Sequence, residues 1–316
     1  MKKFSFLFTS FLLLFCAVVL LTFGITQKLS QYNAKKTELA ETLNFKERLI
    51  NVWEWIPYNT VGDEKVATWQ RLQEEATVLY DQALLLGLAL GGIVLLFAVA
   101  NLFHYRKQQH KLQVYGLVMV FASLSFLYLG LQSPFLEVEA YNKDLAFQIP
   151  IDVDLDAQRV VKALKMVTDQ EDLVLGHFEY KIDQTFKGRM YYFYQNKSIL
   201  DLIKLLYTGG NFLVALCLLF FSIVFPITKL LTSMIVFMKP QTGFARRAVP
   251  VINSLGKWSM ADVFVAAVFL AYFSFANMNV GVETGATTLI GTYFFLAFVV
   301  LSILSGTFFK RLTAKN

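Results

Sequence analysis

The sequence predicts an all-α integral membrane protein of about six transmembrane helices, with an external helical hairpin and a small external α+β cap. Three observations predict it. The composition is 56% hydrophobic and only 16% charged, too apolar for a chain whose only solvent is water. Six stretches, at about 4–25, 83–103, 113–133, 210–237, 259–277 and 286–308, can cross a hydrocarbon core of roughly 30 Å at about 1.5 Å per residue. The segments between them alternate between purely basic and mixed, acid-rich composition.

The first stretch follows Lys2 and Lys3, as in a signal peptide, but the run from Phe4 to Ile25 is about twice a usual signal core and no small-x-small cleavage site follows. A retained helix is predicted. Cys16 and Cys217 lie inside separate apolar runs, which suits neither a disulfide framework nor a zinc site. His104, His110 and His177 share no helix face or motif that would hold a metal, and none is expected.

Charge placement sets the expected topology. Lys2 and Lys3; Arg106, Lys107 and Lys111; Lys239, Arg246, Arg247 and Lys257; and Lys310, Arg311 and Lys315 occupy four segments that contain no acidic residue, so these segments and both termini are expected on the cytoplasmic side. The loops 26–82 and 134–209 carry more acidic than basic residues, and 278–285 has only Glu283; these face outward. Lys229 and Asp262 remain as the only charges in the membrane region. The net charge of +6 thus reports orientation and attraction to anionic headgroups, with no nucleic-acid partner implied.

Between residues 26 and 82, Leu29, Tyr32, Leu39, Leu43, Leu49, Val52 and Trp53, then Val66, Trp69, Leu72, Ala76 and Leu79, recur at roughly helical intervals. Ile56-Pro57-Tyr58-Asn59 and Val61-Gly62-Asp63 interrupt them, which predicts an antiparallel helical hairpin. Trp53-Glu54-Trp55 at its tip either closes the hairpin or anchors a partner. From 134 to 209 the period changes. Leu136–Ala140 and Ala146–Leu155 alternate like half-buried strands, 156–168 reads as a short helix, and Phe178–Ile182 and Arg189–Tyr194 read as further strands. Tyr191–Tyr194 suit an interfacial belt or strand packing better than a ligand site. The domains expected are 1–112, two spans with the hairpin; 113–310, a four-helix module with the α+β insertion; and the tail 311–316.

Ser198-Ile-Leu-Asp-Leu-Ile-Lys-Leu-Leu-Tyr-Thr-Gly-Gly, continuing to Phe225-Pro226-Ile-Thr-Lys229-Leu-Leu, and then Gly256-Lys257-Trp258-Ser259-Met260-Ala261-Asp262-Val263-Phe264-Val265 carry family information. They resemble the paraquat-inducible protein A family of inner-membrane proteins, which includes the lipophilic envelope-spanning tunnel A proteins, over roughly 113–310. The chain departs from the tandem-module members in having one module, a preceding helical hairpin and no Cys-x-x-Cys zinc ribbon. The resemblance implies a bacterial inner-membrane subunit that exchanges phospholipid or another lipophilic molecule with a periplasmic mammalian-cell-entry (MCE) tunnel protein. The chain has no nucleotide-binding motif, so lipid movement would draw on another energy source, a proton gradient or equilibrium flow.

An ionised side chain at mid-bilayer costs from about 2.5 kcal/mol upwards, so Lys229 and Asp262 are expected to pair across neighbouring helices. Two readings stand: a helix-locking pair, or a polar groove for a phospholipid headgroup or a proton. Pro226 removes a backbone hydrogen bond in mid-helix and predicts a kink, either hinge or static feature. Lys257 and Trp258, with Ser259, anchor the next helix at the interface or contact headgroups. These six residues are the lipid-path candidates. No catalytic constellation or cofactor motif is present, so no enzyme is expected; the alternative is a membrane sensor or scaffold that docks a partner through the hairpin.

Overall fold

A computed structural model describes residues 2–51, 61–104, 108–153, 178–238, 250, 252 and 282–313. Two long helices begin the chain. An apolar run that suits a bilayer and an amphipathic arm form one uninterrupted helix in each, the arm following the run in α1 (Lys2–Thr42) and preceding it in α3 (Val61–His104). They pack antiparallel. Gly24 lies against Leu86, the rings of Tyr32 and Tyr80 are 5.4 Å apart, Lys35 pairs with Glu75 at 3.1 Å, and Leu39 and Leu72 share one apolar cluster. The stripe predicted from periodicity is the buried one: Leu29, Tyr32, Leu39, Leu43, Leu72 and Ala76 are all inside. Between the two helices lies the short helix α2 (Phe45–Ile50), capped by Asn44, whose side chain accepts from the Lys46 N–H. The expected tip at Trp53–Trp55 lies outside the described residues.

Helix α4 (Gln108–Gln132) is the centre of the bundle. Gly116 admits the Phe237 ring, and Gly130 lets α4 meet the backbone of Phe295, where an added Cβ would stand 2.9 Å from backbone atoms. Helices α1 and α3 reach it too, through the Phe15–Phe121 ring contact and the Tyr115 hydroxyl, which donates to the Ala98 carbonyl at 3.0 Å.

The cap departs from the expectation of several short strands. It is two long antiparallel strands, β1 (Leu136–Val153) and β2 (Phe178–Lys197), paired from Leu136↔Lys197 to Val153↔Phe178. Bulges at Ala140/Tyr141 and Lys143/Leu145 interrupt the two-residue period, and these breaks make one strand look like two in the sequence. At the second bulge the Gly188 N–H donates to the Asp144 carboxylate at 2.7 Å, with both residues at positive φ. The short helix expected at 156–168 lies outside the described residues. The segment expected as a simple turn near 278–285 contributes a third strand, β3 (Glu283–Thr288), giving the order β2-β1-β3.

Strand β2 leads into α5 (Ile199–Thr208), then a rod of α6 (Phe212–Leu219), a π-helical turn (Phe220–Val224) and α7 (Phe225–Met238). Strand β3 leads into α8 (Ile290–Thr313), so the last span starts at Ile290 and not near 286. Backbone bonds tie the sheet to the bundle end: the Phe135 N–H donates to Lys197, the Leu289 N–H to Phe135 and the Gly291 N–H to Pro134. Among the described residues five helices are long and apolar enough to cross a membrane, at Leu12–Thr42, Gly62–Ala100, Leu112–Gln132, Phe212–Met238 and Ile290–Phe309. The sixth predicted stretch, 259–277, lies outside them.

Candidate functional site

The polar centre of the bundle is built on a helix that changes its winding. Pro226 has no N–H to donate, and in a regular α-helix its ring would press on the carbonyl of Ser222. The turn before it widens to π geometry, with the Phe225 N–H donating to the Phe220 carbonyl five residues back. Just past the widened turn, the Thr228 hydroxyl donates to the Val224 carbonyl at 2.7 Å. The kink expected at Pro226 is expressed as this widened turn.

One turn further on, Lys229 carries its ammonium into the protein interior. The residue is 8% exposed, and its Nζ donates to the Ser302 hydroxyl of α8 at 3.0 Å. Ser222, Ser233, Ser302 and Ser305 are all buried, the first completely. Ser305 Oγ donates to the Ser302 backbone carbonyl at 2.8 Å, while the Ser302 hydroxyl oxygen accepts from the lysine. Lys229 stands about 14 Å along the rod from Met238, too far into the apolar segment for its charge to be treated as a surface one. Its mate in the sequence argument, Asp262, lies outside the described residues, as do Lys257, Trp258 and Ser259. The structure therefore places Lys229 and Pro226 of the six candidates, both among the buried residues of α7 together with Ser233, with Ser302 of α8 against the Lys229 ammonium.

A second polar centre, missed in the sequence, lies where the α1–α3 pair packs on the sheet. Glu137 and Glu139 share one strand face. The Glu137 carboxylate takes Lys36 Nζ at 3.1 Å and the Tyr32 hydroxyl at 3.3 Å, and the Lys36 and Glu137 side chains are only 13% and 9% exposed. Arg189 stands 3.4 Å from Glu139, with its guanidinium 4.4 Å from the Tyr141 ring centre and 5.8 Å from that of Trp69. Burial pushes the Glu139 carboxyl above the ordinary carboxylate range, Arg189 opposing and Glu137 adding to the shift. Burial likewise raises the Tyr191 and Tyr194 phenols, Glu137 reinforcing the second. Alongside runs a groove of about 230 Å³ between α1 and β2, walled by Thr37, Glu41, Asn44, Tyr194 and Asn196. The available signal was Lys36, a charge falling on the same stripe as Leu29, Tyr32 and Leu43. Above it, the fully buried Arg48 donates to the carbonyls of Lys187 and Arg189 and stacks over the Phe186 ring. Among the described residues no three His, Cys, Asp or Glu side chains gather in a way that could hold a metal ion.

The stretch that contains the π-turn, Pro226 and Lys229 also carries the family likeness. Residues 187–313 match the family model of paraquat-inducible protein A. The family resemblance read from 198–231 and 256–265 holds over this range, which runs from within β2 to the end of α8. It starts later than the 113–310 expected from the sequence, so α1–α4 and β1 stand outside the paraquat-inducible protein A match. No curated protein and no solved structure matches the chain.

Proposed function

We propose that the protein is a subunit of a phospholipid or lipophilic-molecule transport system of the cell envelope, seated in the bacterial inner membrane with both termini in the cytoplasm. The observation that carries this reading is Lys229, buried among serines beside a widened helical turn within a membrane rod. A cation held there costs about 2.5–3.5 kcal/mol on insertion scales, a cost that a purely structural helix contact between apolar residues does not incur. An anionic phosphodiester headgroup, or a proton moving to and from Asp262, would use it. The paraquat-inducible protein A match supports a Pqi-type membrane component; the periplasmic MCE tunnel partner is part of the proposal. The protein works without covalent chemistry in this reading, and the hairpin and sheet lie on the periplasmic side.

Lipid mass spectrometry of the protein purified from membranes tests the proposal together with a lipid-transfer assay. Wild type retains phospholipid at a defined stoichiometry, Lys229→Met loses most of it, and Asp262→Asn stops transfer at normal abundance and fold. Undiminished phospholipid in Lys229→Met, or wild-type transfer by Asp262→Asn, overturns the lipid path. A second reading, a sensor or scaffold, draws support from α1 and α2 being clasped to the sheet by Lys36–Glu137 and Arg48. It requires that removing the Lys229 charge leave function intact while disruption of that clasp abolishes it.

A further inference from the structure

The most demanding group in the membrane rod is the Ser222 hydroxyl. Ser222 is completely buried, and its Oγ has no hydrogen-bond partner among the described residues. Hydroxyls elsewhere in the spans return to the carbonyl four residues back, those of Thr26, Ser123, Ser125, Thr228 and Thr232 among them. Ser222 sits in the π-helical turn and does not make that contact.

The backbone beside it is short of a donor. The Phe225 N–H goes to the Phe220 carbonyl, five residues back, and α7 resumes four-residue spacing from Phe225 onward. The carbonyls of Ser222 and Ile223 lie between the two registers. The donors that could reach them belong to residues 226 and 227, and residue 226 is proline. Ile227 alone cannot serve both. A buried hydroxyl and an underserved carbonyl therefore share one turn, inside a segment whose length and composition suit a bilayer, where bulk water supplies nothing.

The chemistry of the turn selects its occupant. A carbonyl oxygen only accepts, so an anion gains nothing there, whereas a hydroxyl both donates and accepts. A metal cation would share the buried rod with the Lys229 ammonium, and neither the turn nor α7 carries an acidic side chain to offset the two charges. The guest that fits is small, neutral and able to donate and accept at once, as water is.

We propose that the π-helical turn is a water site, in which one ordered water donates to the carbonyl of Ser222 or Ile223 and bonds the Ser222 hydroxyl. The water fills the gap that proline opens in the hydrogen-bond ladder and holds the turn in its widened form. It also gives the apolar rod a hydrogen-bonding station about 10 Å on the sheet side of Lys229.

Radiolytic hydroxyl-radical footprinting in phosphatidylcholine nanodiscs tests this, because radicals formed from a bound water oxidise the side chains beside it where bulk water does not reach. Phe221 and Phe225 of wild type are expected to oxidise several-fold faster than Phe237, which is buried further along the same rod. Ser222→Ala and Pro226→Ala are each expected to bring them down to the Phe237 rate. Equal rates at the three positions in wild type overturn the proposal, as do fast rates that neither variant lowers. Fast rates that appear only in phosphatidylglycerol nanodiscs assign the site to a lipid hydroxyl and overturn it too. Ser222→Ala removes a single atom from the core, so it decides the matter if Pro226→Ala fails to fold. The lipid-transfer role can fail without affecting this result, because the site rests on the turn alone.

Discussion

Replacing Lys36 by Met removes the cation from a carboxylate that has almost no water. At 3.1 Å and an effective dielectric of about 20, the gross attraction between the charges is roughly 5 kcal/mol, most of it offset by the desolvation of both. Breaking such a buried pair from one side costs about 3–5 kcal/mol. The Tyr32 hydroxyl still donates to Glu137, and the carboxylate keeps a sliver of solvent, so the cost falls to the bottom of that range or just below it, about 2–3 kcal/mol. Thermal denaturation of the purified protein in detergent reads this as a fall of roughly 4–12 °C in Tm, using about 2–4 °C per kcal/mol. The double variant Lys36→Met, Glu137→Gln removes both charges while preserving an acceptor for Tyr32, and it is expected to recover most of the loss. If Lys36→Met melts with wild type, or if the double variant melts no higher than the single one, the pair is not the buried contact that clasps the α1–α3 helices to the sheet.

Three further outcomes follow from the same geometry. Burial raises the Glu139 pKa in the folded protein, so the folded state holds this proton more tightly than the unfolded chain; stability is retained below the ordinary carboxylate value and declines as pH rises through the raised one. Glu139→Gln is expected to flatten that part of the Tm-against-pH curve, and an unchanged slope in the variant would assign the dependence elsewhere. Gly130→Ala drives a Cβ into the Phe295 backbone and is expected to cost about 1–3 kcal/mol, checked by Tm, whereas Gly62→Ala, where an added Cβ meets nothing, is expected to stay within about 0.5 kcal/mol. Pro226→Ala restores a donor and removes the ring, so the π-turn is expected to close to α geometry; slower amide exchange at residues 224–228 reports it, and unchanged exchange rejects the proline as its cause.

Much of the membrane part was legible because the bilayer imposes one simple requirement, an apolar run of sufficient length, and five of the six expected runs reappear as helices among the described residues. The buried stripe of α1 and α3 was legible for the same reason, since Leu29, Tyr32, Leu39 and Leu72 repeat with the helical period. The sheet was harder. Two bulges shift the inward and outward parity of β1, and β3 is a short Gly- and Thr-rich segment whose only claim to strand structure is a neighbour far away in the chain. Lys229 could be singled out because a charge inside an apolar run is anomalous wherever it occurs. Glu137 and Glu139 could not, because alternation marks one face of a strand as polar without revealing that other helices will cover it. Lys36 meets Glu137 across a separation of 101 residues, a distance no local pattern spans.

The central strand β1 acquires its neighbours at very different moments. Its first partner follows in the hairpin, but the second is made of residues 283–288, which emerge after the α6–α7 rod and only just before the last helix. At 5–20 residues per second, one edge of β1 waits roughly 7–27 s during synthesis before β3 exists to meet it. Throughout that interval a row of backbone donors and acceptors beside the bundle has no native strand to bind, so assembly of this protein is most exposed to mispairing while its final helices are still entering the lipid.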